Sequence, residues 1–191
     1  MARLIREVGP CRLEIAPRQS PYQALLESIV YQQLTAKAAA TIYGRVCKSF
    51  GSSRCPGAEK VADAPDELLR AAGLSRSKVS AVKDLARKSL DGEIPTRRAA
   101  EKLSDAALVE CLTSVRGVGT WTVEMFLIFT LGRPDVLPLD DYGVRKGFAR
   151  TFGRDVLPKP KELAALGEKW RPFRTAASWY LWRALDLDAK G

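Results

Sequence analysis

Two adjacent carboxylates, Asp140 and Asp141, close the stretch RGVGTWTVEMFLIFTLGRPDVLPLDD at residues 116–141. The chain has no histidine, so proton transfer or cation stabilisation falls to acids, amines or water. A fixed, partly desolvated carboxylate can stabilise positive charge that develops in a transition state more than it stabilises a neutral ground state. It can also orient or deprotonate an attacking water. The same residue type just before a helix can serve only as a cap, because aspartate is a preferred N-cap and complements the helix dipole. Spacing favours a second role. Asp141 lies 22 residues beyond Gly119, far enough for a helix and a returning loop to bring it back towards whatever the glycine turn holds. Asp135 is a weaker candidate and reads as a loop residue.

The glycine turn is Val115-Arg116-Gly117-Val118-Gly119, followed by Thr120. Gly117 and Gly119 let the backbone turn sharply and approach another surface closely. Amides at the start of the following helix then lie in the positive end of its dipole, which suits a phosphate. A plain connection between two helices would use the same glycines. The surrounding charge favours the phosphate. Residues 70–98 hold eight Lys/Arg against three acids, and residues 143–174 hold nine against three. The formal net charge of +9 favours a polyanionic partner, nucleic acid before an anionic membrane. No run approaches the roughly 18 apolar residues of a membrane span, and the first residues have no secretory h-region. The four cysteines form no C-x-x-C pair. Without histidine, a zinc site is not expected, and with no cysteine after Cys111 no Cys-ligated cluster can sit in the C-terminal part. Reduced, small, buried thiols fit a cytoplasmic or nuclear compartment.

The elements that must position these residues are helical. Ser20-Pro21 starts a helix carrying Leu25, Leu26, Ile29 and Val30 at helical spacing. An alanine-rich helix runs from Ala36 to Phe50, followed by a loop with a short helical piece at most. Pro65-Asp66-Glu67 opens a short helix that Gly73 stops, and residues 75–90 form another with Val79, Val82, Leu85 and Ala86 on its apolar face. Leu108, Cys111, Leu112 and Val115 make a stripe before the turn; an apolar helix follows to Leu131. A basic helix spans Tyr142 to Phe152, and the last helix, about Trp170 to Leu187, carries three of the four tryptophans. No alternating strands are evident. The fold class is all-α, the first 19 residues reading as either extended or helical.

At this point the chain resembles a known superfamily. VRGVGTWTVEMFLIF followed by VLPLDDYGVRKGF is similar to the helix–hairpin–helix (HhH-GPD) DNA glycosylases. SIVYQQLTAKAAATIYGRV and LRAAGLSRSKVSAVKDLA match the branch called 3-methyladenine DNA glycosylase II. The four blocks stand in the right order across about residues 20–185. Arg116 departs from the proline common in the hairpin, losing rigidity and adding a cation. The chain length leaves no room for the extra N-terminal β domain of some members.

The resemblance implies a single glycosylase domain over residues 1–191 with two lobes and a cleft between them. Lobe A spans about 20–145, with the hairpin at 108–131; lobe B joins 1–19 to 146–191. It implies a monofunctional enzyme that hydrolyses the N-glycosidic bond of alkylated purines, of 3-methyladenine or 7-methylguanine type, in base excision repair. Asp141 becomes the catalytic aspartate and Asp140 the cap or a structural acid. Arg116, Gly117, Val118, Gly119 and Thr120 become the phosphate-binding hairpin. Trp121, Tyr142, Trp182 and Met125 become the base pocket, where an indole attracts an electron-poor cationic ring; Met125 replaces an aromatic found in some relatives. Trp170 and Trp179 read as core. Gln33 and Leu34 match the wedge that fills the gap left by a flipped base, although glutamines at a helix end need no special role. A base already cationic needs no second group to protonate it. Strand-cutting relatives carry a lysine where this chain has Trp121, which argues against Schiff-base chemistry. No cofactor and no catalytic metal are implied, although the hairpin carbonyls offer a place for a monovalent cation. The implied partner is double-stranded DNA containing damaged bases, bound by a monomer without a membrane. The enzyme would be cytoplasmic and nucleoid-associated in a bacterium or archaeon, and nuclear in a eukaryote. The alternatives are a non-catalytic helix–hairpin–helix DNA-binding module, or a glycosylase for another base lesion.

Overall fold

The computed structural model describes residues 1–16 and 19–187; residues 17, 18 and 188–191 of the expected domain lie outside the described residues. Among the described residues, twelve α-helices occur in chain order: α1 (Ala2–Val8), α2 (Pro21–Tyr31), α3 (Ala36–Ser49), α4 (Ala58–Asp63), α5 (Asp66–Ala71), α6 (Arg76–Leu90), α7 (Arg97–Ala100), α8 (Asp105–Leu112), α9 (Thr120–Phe129), α10 (Tyr142–Thr151), α11 (Pro160–Gly167) and α12 (Arg174–Asp186), with a 3₁₀ turn at Glu168–Trp170. No strand is present among the described residues, and the protein is all-α.

Short polar side chains set many of the helix starts. Ser20 accepts from the Gln23 amide while the Gln23 side chain accepts from the Ser20 amide, a reciprocal capping box, and Pro21 occupies the first helical position. Thr35, Ser75, Thr96 and Ser104 cap α3, α6, α7 and α8 in the same one-sided manner. The last helix begins at Arg174, four residues later than Trp170, because Trp170 closes the 3₁₀ turn and Pro172 intervenes.

The chain divides into two compact units. One comprises Arg18–Phe126; the other joins Met1–Pro17 to Leu127–Gly191. The division falls at 126/127, inside α9, rather than near 145. The reason is local packing. Residues 127–145 contribute Ile128, Val136, Leu137 and Val144 as buried side chains, and Leu137 and Val144 share one apolar cluster with Phe148, Leu163 and Leu181.

Within the 18–126 unit, α6 is the central element and packs against α2, α4 and α5. Its Val79, Val82, Leu85 and Ala86 are buried, as are Leu25, Leu26, Ile29 and Val30 of α2. In the discontinuous unit, α10 crosses α12 closely. A Cβ on Gly147 would lie 1.9 Å from the Leu181 carbonyl oxygen, so only glycine permits this approach. The N-terminal helix joins this unit through α12, with Leu4, Tyr180 and Ala184 buried together. The Tyr180 hydroxyl donates to the Gly9 carbonyl at 2.9 Å, and the Ala16 amide donates to Phe129 at 2.7 Å.

Candidate active site

The hairpin belongs to the 18–126 unit. Val115 and Val118 are buried and anchor it, whereas Arg116, Gly117, Gly119 and Thr120 are exposed. Gly117 has φ +75 and requires glycine; Gly119 has no such angle, and a Cβ there would meet open space. The two glycines therefore differ: one makes the turn and the other leaves the surface bare. Asp84 of α6 holds the hairpin tip, its Oδ2 accepting from the Arg116 amide at 2.8 Å. The Thr122 and Val123 amides at the start of α9 both donate to the Gly119 carbonyl, at 3.0 and 3.2 Å, and the positive end of the helix dipole lies at this turn.

Beside the hairpin lies a cavity of about 560 Å³ whose lining includes Tyr31, Gln33, Leu34, Trp121, Thr122 and Met125. Trp121 is 46% exposed although it begins an otherwise apolar helix. Met125 lies one turn further along α9 in the same lining. Four sequence-selected residues, Gln33, Leu34, Trp121 and Met125, thus converge on one depression, with Gly117 at its edge.

Asp141 belongs to the other unit and is the N-cap of α10. Its Oδ1 accepts from the Val144 amide at 2.7 Å and from the indole Nε1–H of Trp182 at 2.8 Å. This corrects the assignment of the cap to Asp140, which is exposed and sits in the preceding turn. Asp141 has the extended backbone, φ −66 and ψ 119, that places a capping side chain over the helix start. The cap and the candidate catalytic acid are one residue, half-buried rather than sealed in the core.

Trp182 packs against the Leu137–Leu181 cluster. Phe129 stacks on it, with ring centroids 5.7 Å apart and planes at 23°. Its N–H is engaged by the carboxylate, so what it does in this structure is hold Asp141. Tyr142 is 63% exposed, with the Lys146 ammonium 5.8 Å from its ring centre. Gly143 makes the indole–carboxylate contact possible. A Cβ there would lie 2.9 Å from Trp182 Cδ1 and 3.1 Å from Asp141 Oδ1. Asp135 is committed elsewhere. Its carboxylate accepts from Arg174 Nε at 2.7 Å and Nη2 at 2.9 Å, and from Arg171 Nη1 at 2.7 Å. These bonds, above all those from Arg174, hold its carboxyl below the usual aspartate range. Trp170 and Trp179 pack against the apolar clusters.

Sequence reasoning missed Phe129, Gly143 and Asp84. Gly143 left a signal, because a glycine pair spaced i, i+4 with Gly147 in a short helix costs helix stability and marks close approach. Asp84 and Phe129 left none, since their partners lie 32 and 53 residues away in sequence.

Capped helices around a Gly-x-Gly hairpin, with an aspartate-capped helix following, define a class that comparison with known proteins identifies. Residues 26–172 match the HhH-GPD superfamily base excision DNA repair protein family, and the chain belongs to that family. It is similar to DNA-3-methyladenine glycosylase 1 of Schizosaccharomyces pombe, 38% identical over 186 residues, which cover 97% of this chain and 82% of the relative. Among solved structures it resembles the S. pombe 3-methyladenine DNA glycosylase Mag1 in complex with abasic DNA, at 39% identity and TM-score 0.85, over 95% of this chain and 89% of that one. It also resembles a DNA-3-methyladenine glycosidase from Bacillus halodurans, at 35% identity and TM-score 0.88, over 99% of this chain and 85% of that one.

Proposed function

We propose that this protein is a DNA glycosylase of the 3-methyladenine type, a hydrolase that cleaves the N-glycosyl bond of alkylated bases in base excision repair. Similarity over nearly the full length to enzymes with that name supports the reaction class. The observation that carries the assignment of roles is Asp141, a half-buried carboxylate whose Oδ1 is fixed by two donors.

In the proposed reaction, departure of an alkylated purine leaves positive charge on the deoxyribose. The Asp141 carboxylate stabilises that charge as it develops and orients the attacking water. Holding Oδ1 by Val144 and Trp182 removes the need to reorganise the acid during the step. The hairpin residues Arg116 to Thr120 take a phosphate of the duplex through amides and charge, and open space at Gly119 suits close approach of the strand. Trp121, exposed in the cavity with Met125, offers an indole face to the flipped cationic base. Tyr142 stands exposed next to Asp141 in sequence. Gln33 and Leu34 fill the gap in the stack.

The reaction needs a carboxylate and water, which the protein and the solvent supply. A monovalent cation would use the second lone pairs of hairpin carbonyls such as Val115 and Gly117, which accept from the Val118 amide and the Gln32 side chain, and would add positive charge for the phosphate. The protein acts on damaged double-stranded DNA as a monomer, wherever the cell keeps its DNA.

Capping by Asp141 is also what a non-catalytic DNA-binding module would show. Chromatography of bases released from methylated duplex DNA separates the two. Free 3-methyladenine or 7-methylguanine above background is expected; release at the no-enzyme rate overturns the enzyme reading.

A further inference from the structure

We infer that Lys78 is a positioning residue that braces the Gln33–Leu34 wedge and, through Gln32, ties it to the phosphate-binding hairpin. This rests on the wedge role proposed above.

Lys78 is badly placed for its own helix. It sits in the first turn of α6, where Ser75 caps its amide, and a cation there opposes the helix dipole. Its ammonium instead reaches the far end of α2. Nζ donates to the Val30 carbonyl at 2.7 Å and to the Gln32 carbonyl at 2.7 Å. These oxygens lie at the negative end of the α2 dipole, where orphan carbonyls need donors. The residue is half-buried, and desolvation lowers its pKa. Taking a charge partly out of water is tolerated only where its hydrogen bonds are well made.

The segment it holds is strained. Gln33 has φ +58, the one non-glycine residue with positive φ among the described residues. An L-residue stays in that region only where its surroundings over-determine it. Lys78 supplies one such constraint on the residue before it. Gln32 supplies the other, its side-chain Nε2 donating to the Gly117 carbonyl at 2.9 Å across 85 residues of sequence. The chain of contacts runs Lys78, Gln32, Gly117. The wedge and the phosphate grip are thereby parts of one rigid piece, so a duplex held by the hairpin meets Gln33 and Leu34 at a fixed depth. Both wedge side chains are exposed, and a loose base beneath them would yield rather than open a base pair.

The test compares Lys78→Met and Gln32→Leu with wild type on two duplexes. In one, a methylated purine faces its normal partner. In the other, the same lesion faces an abasic analogue, so that opening costs less. The single-turnover release rate is expected to fall by about tenfold on the paired lesion and less than about twofold on the unpaired one. Amide hydrogen exchange in the free protein gives a readout independent of activity. The Leu34 amide, bonded to the Tyr31 carbonyl, is expected to exchange faster in Lys78→Met while the Val82 and Leu85 amides of α6 keep their protection. Equal losses on both duplexes, no loss on the paired lesion, or unchanged Leu34 exchange would each overturn the inference. Should wild type release no base, the glycosylase reading fails, while the exchange result still decides whether Lys78 braces the segment.

Discussion

Replacing Gly143 by alanine puts a methyl group between the candidate catalytic acid and the side chain that orients it. The added carbon would stand 2.9 Å from Trp182 Cδ1, 3.2 Å from its Nε1 and 3.1 Å from Asp141 Oδ1. All three are below ordinary contact distance, so the indole and the carboxylate are crowded and their bond is distorted. Helix propensity pulls the other way, since alanine favours a helix over glycine by about 1 kcal/mol. A hydrogen bond to a charged group contributes about 1.5–3 kcal/mol. The 2.8 Å indole–carboxylate bond is the one at risk. If that bond serves the transition state, its loss slows base release by about ten- to a hundredfold, while thermal stability changes by no more than about 2 kcal/mol because the two effects oppose. Trp182→Phe is the companion variant. It removes the donor and keeps a ring to stack on Phe129, and a similar rate loss is expected. The assay is single-turnover release from a methylated duplex, with DNA affinity measured alongside. Wild-type rates in both variants would refute the claim that the indole positions the acid.

Other outcomes follow from the same structure. Gly147→Ala forces a carbon into the Leu181 carbonyl and is expected to destabilise by about 3 kcal/mol in urea unfolding, near the upper end for overpacking. Asp135→Asn weakens the pairing with Arg174 and Arg171 and is expected to lose about 1–2 kcal/mol at neutral pH. The folded carboxyl titrates below its ordinary value. Its contribution is therefore present above the unfolded pKa, near 4, and lost as pH falls through the lower folded value, so the gap between variant and wild type should close below about pH 4. Borohydride added during turnover is expected to trap no covalent enzyme–DNA complex, because the cavity lining around Trp121 holds no lysine; a trapped complex on a denaturing gel would contradict this.

Much of the helical skeleton was legible because caps are local. Ser20-Pro21 announces a helix within four residues of sequence. Helices α7 and α11 are not legible in the sequence. The first is a single turn, and the second lies in a stretch whose charges obscure its few apolar positions. The division at 126/127 was not legible either. Helix α9 is apolar almost throughout, TWTVEMFLIF, so its pattern carries no seam. The site was half legible. Asp141, Trp121 and the hairpin stand out by type and spacing. Which of two adjacent acids caps α10 is fixed by where the helix begins, at Tyr142, and helix ends are read from sequence only to within a few residues. The Trp182–Asp141 and Lys78–Val30 bonds span 41 and 48 residues, and no periodic pattern encodes such a meeting.

The most direct measurement is abasic-site formation on methylated duplex DNA by Asp141→Asn beside wild type. Asparagine keeps the N-cap acceptor, so the variant should fold, bind duplex and differ mainly in charge. A rate at least about a hundredfold below wild type is expected for loss of a group that stabilises transition-state charge. Equal rates for the two proteins would contradict the central claim that this one carboxylate meets the charge on the sugar.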